Sequence, residues 1–315
     1  MKLRVAVLMD PIEHVHVEKD STFAMLLEAQ RRGHDVFYLT QKSLALREAA
    51  PWAQAAALKV RDDPKHWYAL EPAQWLDLRE VDVILERKDP PFDEQFLYDT
   101  MVLELAQRAG VLVVNDPQAL RDANEKLYAL HFPQCIPPTL IARDAAEIKR
   151  FVAEVGEVVL KPLDGMGGQS IFRSRRDDPN LNVILETLTG EGRNFAVAQR
   201  YLPQISAGDK RLLLINGEPV PYALARIPQG DEFRGNLARG GKGVGMPITD
   251  RERWIAAQVG PELRRRGMIF VGLDVIGDWL TEINVTSPTC IRELDAQFNL
   301  NIAGQLFDVI EGKRQ

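Results

Sequence analysis

GLDVIGDWLTEINVTSPT, residues 272–289, is two runs of strand formers around Gly277-Asp278. Asp274 sits on the first run, and Glu282 and Asn284 lie two apart on the second. Side chains two apart on a strand share a face. Two carboxylates and an amide oxygen on one face are hard oxygen ligands suited to Mg²⁺. A solvated polar face is the competing reading. The neighbours Phe270, Val271, Leu273, Val275, Ile276, Ile283 and Val285 argue instead for a covered hairpin, where unneutralised charge is costly. In an unbroken ladder with a two-residue loop at Gly277-Asp278, Asp274 would pair with Thr281, and Glu282 would face away. A shared cation therefore predicts a three-residue loop, Gly277-Asp278-Trp279, or a bulge that restores the parity.

Upstream lies VVLKPLDGMGGQS, residues 158–170, a strand ending at Lys161 followed by a glycine-rich turn. Taken singly, Lys161 reads as a snorkelling strand end and the turn as a chain reversal. Together with metal-binding carboxylates they are parts of a nucleotide–phosphate site. Gly165, Gly167 and Gly168 let backbone approach phosphate, and Lys161 adds a compact positive charge. There is no Walker A motif, so this is not a P-loop NTPase. KRLLLI-NG-EPVPYALARI, from Lys210, reads as a hairpin with a type I′ turn, with Arg211 and Arg226 on its two strands. Residues 228–246 contain six glycines and no apolar periodicity. They are expected to form a long mobile loop carrying Arg234, Arg239 and Lys242. The bland reading is a connector; the functional one is a lid that closes over a bound phosphate. A helix is expected from about Thr249 to Arg266, stopped by Gly267.

Residues 1–120 alternate strand and helix signals: strands at 3–9, 35–40, 81–87 and 111–115, and helices from Asp20 or Ser21 to Gly33 and over 93–109. This implies a parallel sheet with helices on its faces. Asp10-Pro11 follows the first strand without a glycine fingerprint, so this unit is a poor dinucleotide binder. Residues 121–132 are expected to be a helix containing Asn124, Glu125 and Lys126. Pro133, Pro137 and Pro138 mark a linker, and 157–161, 170–173 and 195–199 read as short strands of a smaller unit. The 315 residues are 45% hydrophobic and 27% charged, ordinary for a globular chain. A net charge of −6 gives no support for sequence-independent nucleic-acid binding. No apolar run is long enough to span a bilayer. Cys135 and Cys290 lack metal-ligand spacing and fit a reducing compartment, so a cytoplasmic protein is expected. His14 and His16 have no acidic or cysteine partners in register and carry no metal reading.

Taken together, LKPLDGMGGQSIFR, AQRYLP, GDKRLLLINGEPVPYALARIPQ, RGNLARGGKG and VGLDVIGDWLTEINVTSPTCIRE resemble the ATP-grasp superfamily and, within it, the bacterial glutathione synthetase family. MDPI, KDSTFAMLLEAQRRG and ERKDPPFD extend the likeness over essentially the whole chain. The resemblance implies an α/β ATP-grasp fold: an N-terminal parallel α/β domain at 1–122, a central lid domain at 123–200 and a C-terminal α+β domain at 201–315. It implies ATP contacts from Lys126 and Lys161. It sets adenine against Gln199-Arg200-Tyr201-Leu202, and Arg211 and Arg226 toward the phosphates or the reacting carboxylate. The loop around Arg234 becomes the lid, and Asp274, Glu282 and Asn284 the ligands of Mg²⁺, with Mn²⁺ as the alternative. The implied reaction joins γ-glutamylcysteine to glycine with ATP, in a cytoplasmic homotetramer with no nucleic-acid or membrane partner. The rivals are another carboxylate–amine ligase with a different peptide or amino acid, and a nucleotide-binding module without turnover.

Overall fold

The computed structural model describes residues 1–314 apart from 231, 233, 236, 238 and 239. The described residues form three sheets. The first is built from β1 (Arg4–Met9), β2 (Asp35–Leu39), β3 (Leu44–Arg47), β4 (Ala50–Val60), β5 (Tyr68–Leu70), β6 (Gln74–Asp77), β7 (Val83–Arg87) and β8 (Leu112–Val114). Its order is β3-β4-β2-β1-β7-β8, with β5 and β6 also paired to β4. β2, β1, β7 and β8 run parallel, as the strand–helix alternation predicts. Such strands bury both faces. Val5 and Val7 of β1 join one apolar core with Phe23 and Leu26 of α1 (Ser21–Arg31), while Ala6 and Leu8 join another with Leu103 and Ala106 of α2 (Glu94–Arg108).

Around β4 lies an antiparallel meander that the sequence does not announce. AQAAALKV is rich in alanine, a weak strand former, and strand partners on both sides hold it extended. α3 (Pro117–Asp122) ends the first segment. The helix expected over 121–132 does not form. Asn124 Oδ1 accepts from the amides of Lys126 (3.1 Å) and Leu127 (3.0 Å), and this local turn competes with helix. Only a 3-10 turn follows, at Tyr128–His131.

The second sheet is antiparallel, in the order β11-β10-β12-β9. Its strands are β9 (Thr139–Ala142), β10 (Glu157–Pro162), β11 (Phe172–Arg175) and β12 (Ala196–Arg200). β9 directly follows the prolines that mark the linker, and its four residues are too short a run to read as a strand. Val158, Leu160, Ala196 and Ala198 bury one face under α4 (Ala145–Val155) and α5 (Leu181–Thr189). The period of two puts Val159, Lys161, Val197 and Gln199 on the other face.

The third sheet, β15-β14-β13-β16-β17, is also antiparallel. It comprises β13 (Asp209–Ile215), β14 (Glu218–Ile227), β15 (Lys242–Pro247), β16 (Phe270–Ile276) and β17 (Trp279–Asn284). Asn216 and Gly217 both have positive φ, as a type I′ turn requires. α6 (Asp250–Arg265) starts on a capping box between Thr249 and Glu252. It covers Leu212, Leu214, Leu273 and Val275. Its Gly260 lies against Gly217, and a Cβ on either would overlap the other's carbonyl oxygen. Residues 242–246 are not loop, contrary to the sequence reading. They belong to β15, whose glycines hide the strand pattern because Leu224 presses on Gly243 and Phe298 on Gly245. α7 (Ile291–Phe298) and α8 (Ile302–Arg314) return to the first sheet. Ile302, Leu306, Phe307 and Ile310 pack in the same core as Val5 and Phe23. His34 Nε2 lies 3.0 Å from Glu311 Oε1, and Arg32 Nη2 2.7 Å from Asp308 Oδ1. No helix among the described residues is long and apolar enough to cross a membrane.

Candidate active site

The β16–β17 hairpin solves its parity problem with a bulge. Ile276 pairs with Trp279 and Val275 with Leu280, so the loop has two residues, not three. Thr281 is then the extra residue, and the ladder resumes with Asp274 opposite Glu282 and Gly272 opposite Asn284. The Thr281 hydroxyl donates to the Asp274 carbonyl at 3.1 Å. Asp274, Glu282 and Asn284 thereby line one cavity.

Charges on this face are interlocked. Arg211 Nε donates to Asp274 Oδ1 at 2.5 Å and its Nη2 to Oδ2 at 3.1 Å. Arg226 Nη2 lies 2.9 Å from Asp274 Oδ2 and 2.6 Å from Asp209 Oδ2. All four side chains are buried or nearly so. Burial works to raise the Asp274 pKa, but the two guanidiniums hold it well below the usual carboxylate range. Asp209 shares only Arg226, and burial pushes its pKa up to about 6.

Lys126 reaches the same cavity from the turn after α3. Its Nζ lies 3.0 Å from Glu282 Oε1 and donates to the Gly165 carbonyl at 2.7 Å. Burial opposes its charge, yet Glu282 keeps its pKa above the ordinary lysine value. Glu125, which the sequence reading did not single out, accepts at one oxygen from the Val285 amide and the Thr286 hydroxyl, both at 3.0 Å. It pins the turn to the end of β17. Burial, and then the charge of Glu282, raise its pKa. The Lys161 side chain has no hydrogen bond or ion pair among the described residues, although the residue is only 8% exposed. Burial lowers its pKa, against the pull of Glu282. A buried ammonium without a close partner is a receptor for an anion.

The glycine turn closes the cavity on the Lys161 side. Gly167 and Gly168 both have positive φ, which glycine adopts without strain. Arg234 Nη1 donates to the Gly168 carbonyl at 2.6 Å, so this part of the expected lid meets the turn. Lys242 opens β15 and is exposed; Arg239 lies outside the described residues.

Two cavities meet here. One of about 260 Å³ is lined by the metal-type residues, Lys126, Arg211, Arg226 and the glycine turn. The other, about 100 Å³, is lined by Val159, Gln199, Tyr201, Leu202, Ile205 and Arg234, among others. They share Lys161, Ile171 and Glu282. The smaller has apolar walls for a flat ring, and the larger has charge for phosphates. Asp209 and Thr281 line the smaller cavity too; neither has a sequence signature, since one acts through Arg226 and the other through a pairing irregularity. Among the described residues no three His, Cys, Asp or Glu side chains form a metal cage by themselves. The donor set of two carboxylates and the Asn284 amide nevertheless fits a hard divalent cation that takes its remaining oxygens from phosphate and water.

Comparison with known proteins shows the family. The family model for the prokaryotic glutathione synthetase N-terminal domain matches residues 3–121, and that for the prokaryotic glutathione synthetase ATP-grasp domain matches residues 125–299. Glutathione synthetase of Xanthomonas campestris pv. campestris is 66% identical over 311 residues, 99% of this chain and 98% of that protein. The enzyme of Pseudomonas aeruginosa is 57% identical over 310 residues, 98% of each chain. Among solved structures, D-cycloserine synthetase DcsG superposes with a TM-score of 0.67 at 15% identity, covering 99% of this chain and all of that one. The ATP-grasp ligase PsnB, complexed with minimal precursor, Mg and ADP, gives 0.64 at 17%, covering 99% of this chain and 97% of that one. These two speak to the ATP-grasp fold alone.

Proposed function

This chain belongs to the prokaryotic glutathione synthetase family, and from that premise we propose how its residues join γ-glutamylcysteine to glycine with ATP. It is an ATP-dependent carboxylate–amine ligase. A carboxylate is a poor electrophile, because attack adds electron density to an anion. Transfer of the γ-phosphoryl group to the cysteinyl carboxylate gives an acyl phosphate and ADP. The glycine amine attacks the acyl carbon, phosphate leaves, and the amine proton is lost.

The observation that carries the assignment of roles is Lys161, buried without a partner where the two cavities meet. The base fits against Gln199, Tyr201 and Leu202, and the phosphates reach Lys161, Lys126 and the Gly165, Gly167 and Gly168 backbone. Arg211 and Arg226 exchange part of their hold on Asp274 for the transferred phosphoryl group or the substrate carboxylate. Asp274, Glu282 and Asn284 would hold Mg²⁺, or Mn²⁺, which neutralises phosphate oxygens during transfer. Arg234, bonded to the turn that faces the phosphates, closes the site against water, which would otherwise consume the acyl phosphate. We further propose a division into domains at 1–122, 123–200 and 201–315, which the three sheets support, and a cytoplasmic homotetramer. The buried free thiols Cys135 and Cys290 support the first of these last two. Exposed Leu46, Trp75, Tyr98 and Met101 offer apolar surface for the second. Another amino acid or peptide as substrate, and a module without turnover, are not favoured by full-length relatives that are glutathione synthetases.

The test is ADP release with γ-glutamylcysteine and a panel of amino acids. Release with glycine, and little with larger amines, is expected. Equal release with any amine, or loss-free turnover in Lys161→Ala, would overturn the assignment.

A further inference from the structure

The base end of the cleft holds a hydrogen-bond relay. Gln199 on β12 lies opposite Thr139 on β9 and, on its other flank, opposite Val159 on β10. It is 7% exposed and lines the smaller cavity. Gln199 Nε2 donates to Thr139 Oγ1 at 3.0 Å, and Thr139 Oγ1 donates to the Pro137 carbonyl at 2.8 Å. The direction of this relay is set from its far end. A carbonyl oxygen only accepts, so the single hydroxyl proton of Thr139 goes to Pro137. Toward Gln199 the hydroxyl then offers lone pairs alone, and only the NH₂ end of the amide can meet it. Gln199 Oε1 is left as the free end of a cavity-lining side chain, without a hydrogen-bond partner among the described residues.

We propose that Thr139 is a positioning residue that fixes Gln199 as an acceptor-only reader, so that the cleft takes a 6-aminopurine nucleotide and rejects a 6-oxopurine one. The inference rests on the base-cleft reading given above. A 6-aminopurine presents an exocyclic NH₂, which donates to Oε1. A 6-oxopurine presents a carbonyl oxygen at that position, and two acceptors face each other unpaired. An amide free to turn over would serve both bases. The relay removes that freedom without touching the nucleotide.

The test compares kcat/KM for ATP and for inosine triphosphate in the wild type, Thr139→Val, Thr139→Ser and Gln199→Ala. Thr139→Val removes the hydroxyl at nearly constant shape. It is expected to narrow the ATP preference by roughly tenfold or more, mainly by a gain with inosine triphosphate; tenfold corresponds to about 1.4 kcal/mol, the scale of one hydrogen bond. Thr139→Ser keeps the hydroxyl and should keep the preference. A general structural defect would lower both nucleotides together and leave their ratio alone. An unchanged ratio in Thr139→Val overturns the relay, and Thr139→Ala carries the same expectation should the valine variant not fold. Gln199→Ala separates the two layers. If it collapses the ratio and raises KM for ATP while Thr139→Val is silent, the relay alone falls. If it changes neither, the base does not sit against Gln199, and the cleft reading fails as well.

Discussion

Replacing Glu86 with glutamine is expected to stabilise the protein, and more so the higher the pH. Glu86 lies on β7, 1% exposed, on the face that also carries Ile84. One carboxyl oxygen accepts from the Lys88 amide at 3.1 Å, and Oε2 has no partner among the described residues. Burial pushes its pKa from 4.5 up to about 8, against smaller opposing pulls from the Lys88 amide and Arg87. The folded protein therefore holds a proton that the unfolded chain has released. Stability from this group is fully present below pH 4.5 and is lost as pH rises through 8. At about 1.4 kcal/mol per pH unit, the loss is roughly 3 kcal/mol by pH 7 and about 5 kcal/mol by pH 9. Glutamine keeps the shape and the acceptor for Lys88 but has no proton to lose. Urea unfolding of both proteins from pH 4 to pH 9, read as the difference between them, cancels the groups they share. The difference should be near zero at pH 4 and grow in favour of Glu86→Gln above it. A difference that does not change with pH, or a less stable variant at pH 9, would refute the reasoning.

Glu282→Gln removes a ligand charge and frees Lys126, so turnover should fall on the order of 100-fold, and Asn284→Asp should be milder; full activity of Glu282→Gln at ordinary Mg²⁺ would take Glu282 out of the metal shell. Arg234→Ala cuts the link to the Gly168 carbonyl and should raise ADP release relative to glutathione formed, measured in one reaction mixture; a preserved one-to-one ratio at normal rate would sink the water-exclusion role. Gly260→Ala gains about 1 kcal/mol of helix propensity but overlaps the Gly217 backbone, which cannot swing aside, at about 2–3 kcal/mol. A higher unfolding midpoint for Gly260→Ala would show that the hairpin turn yields after all.

Much of the fold is legible because local chemistry and final structure agree. Asn216-Gly217 demands the turn it makes, Thr249 and Glu252 cap α6 as a pair, and Asp20 caps α1 by accepting from the Phe23 amide at 2.6 Å. The helix expected over 121–132 fails locally, to the Asn124 turn; the strands misread at β4 and β15 fail because their partners are distant in sequence. β4 is extended because strands flank it, not because of its alanines. β15 looks like loop because Leu224 and Phe298 leave room only for glycine. The candidate site was legible where one side chain carries charge into the cleft, as at Lys161, Arg211 and Asp274. Glu125, Asp209 and Thr281 act by holding other groups, and such roles leave no spacing to read. The β16–β17 pairing shows the limit of a rule that was sound: parity required an irregularity, but not which one.

The packing of α8 into the first sheet has a consequence for how the chain is made. Synthesis runs from the N-terminal side, yet Val5, Phe23 and Leu26 share their core with Ile302, Phe307 and Ile310. At about 5–20 residues per second, the nascent N-terminal segment waits many seconds for the helix that covers it. For that interval an apolar sheet face is open to the cell. A chain cut short after Thr289 but before α8 keeps the residues that line the two cavities and leaves this core uncovered.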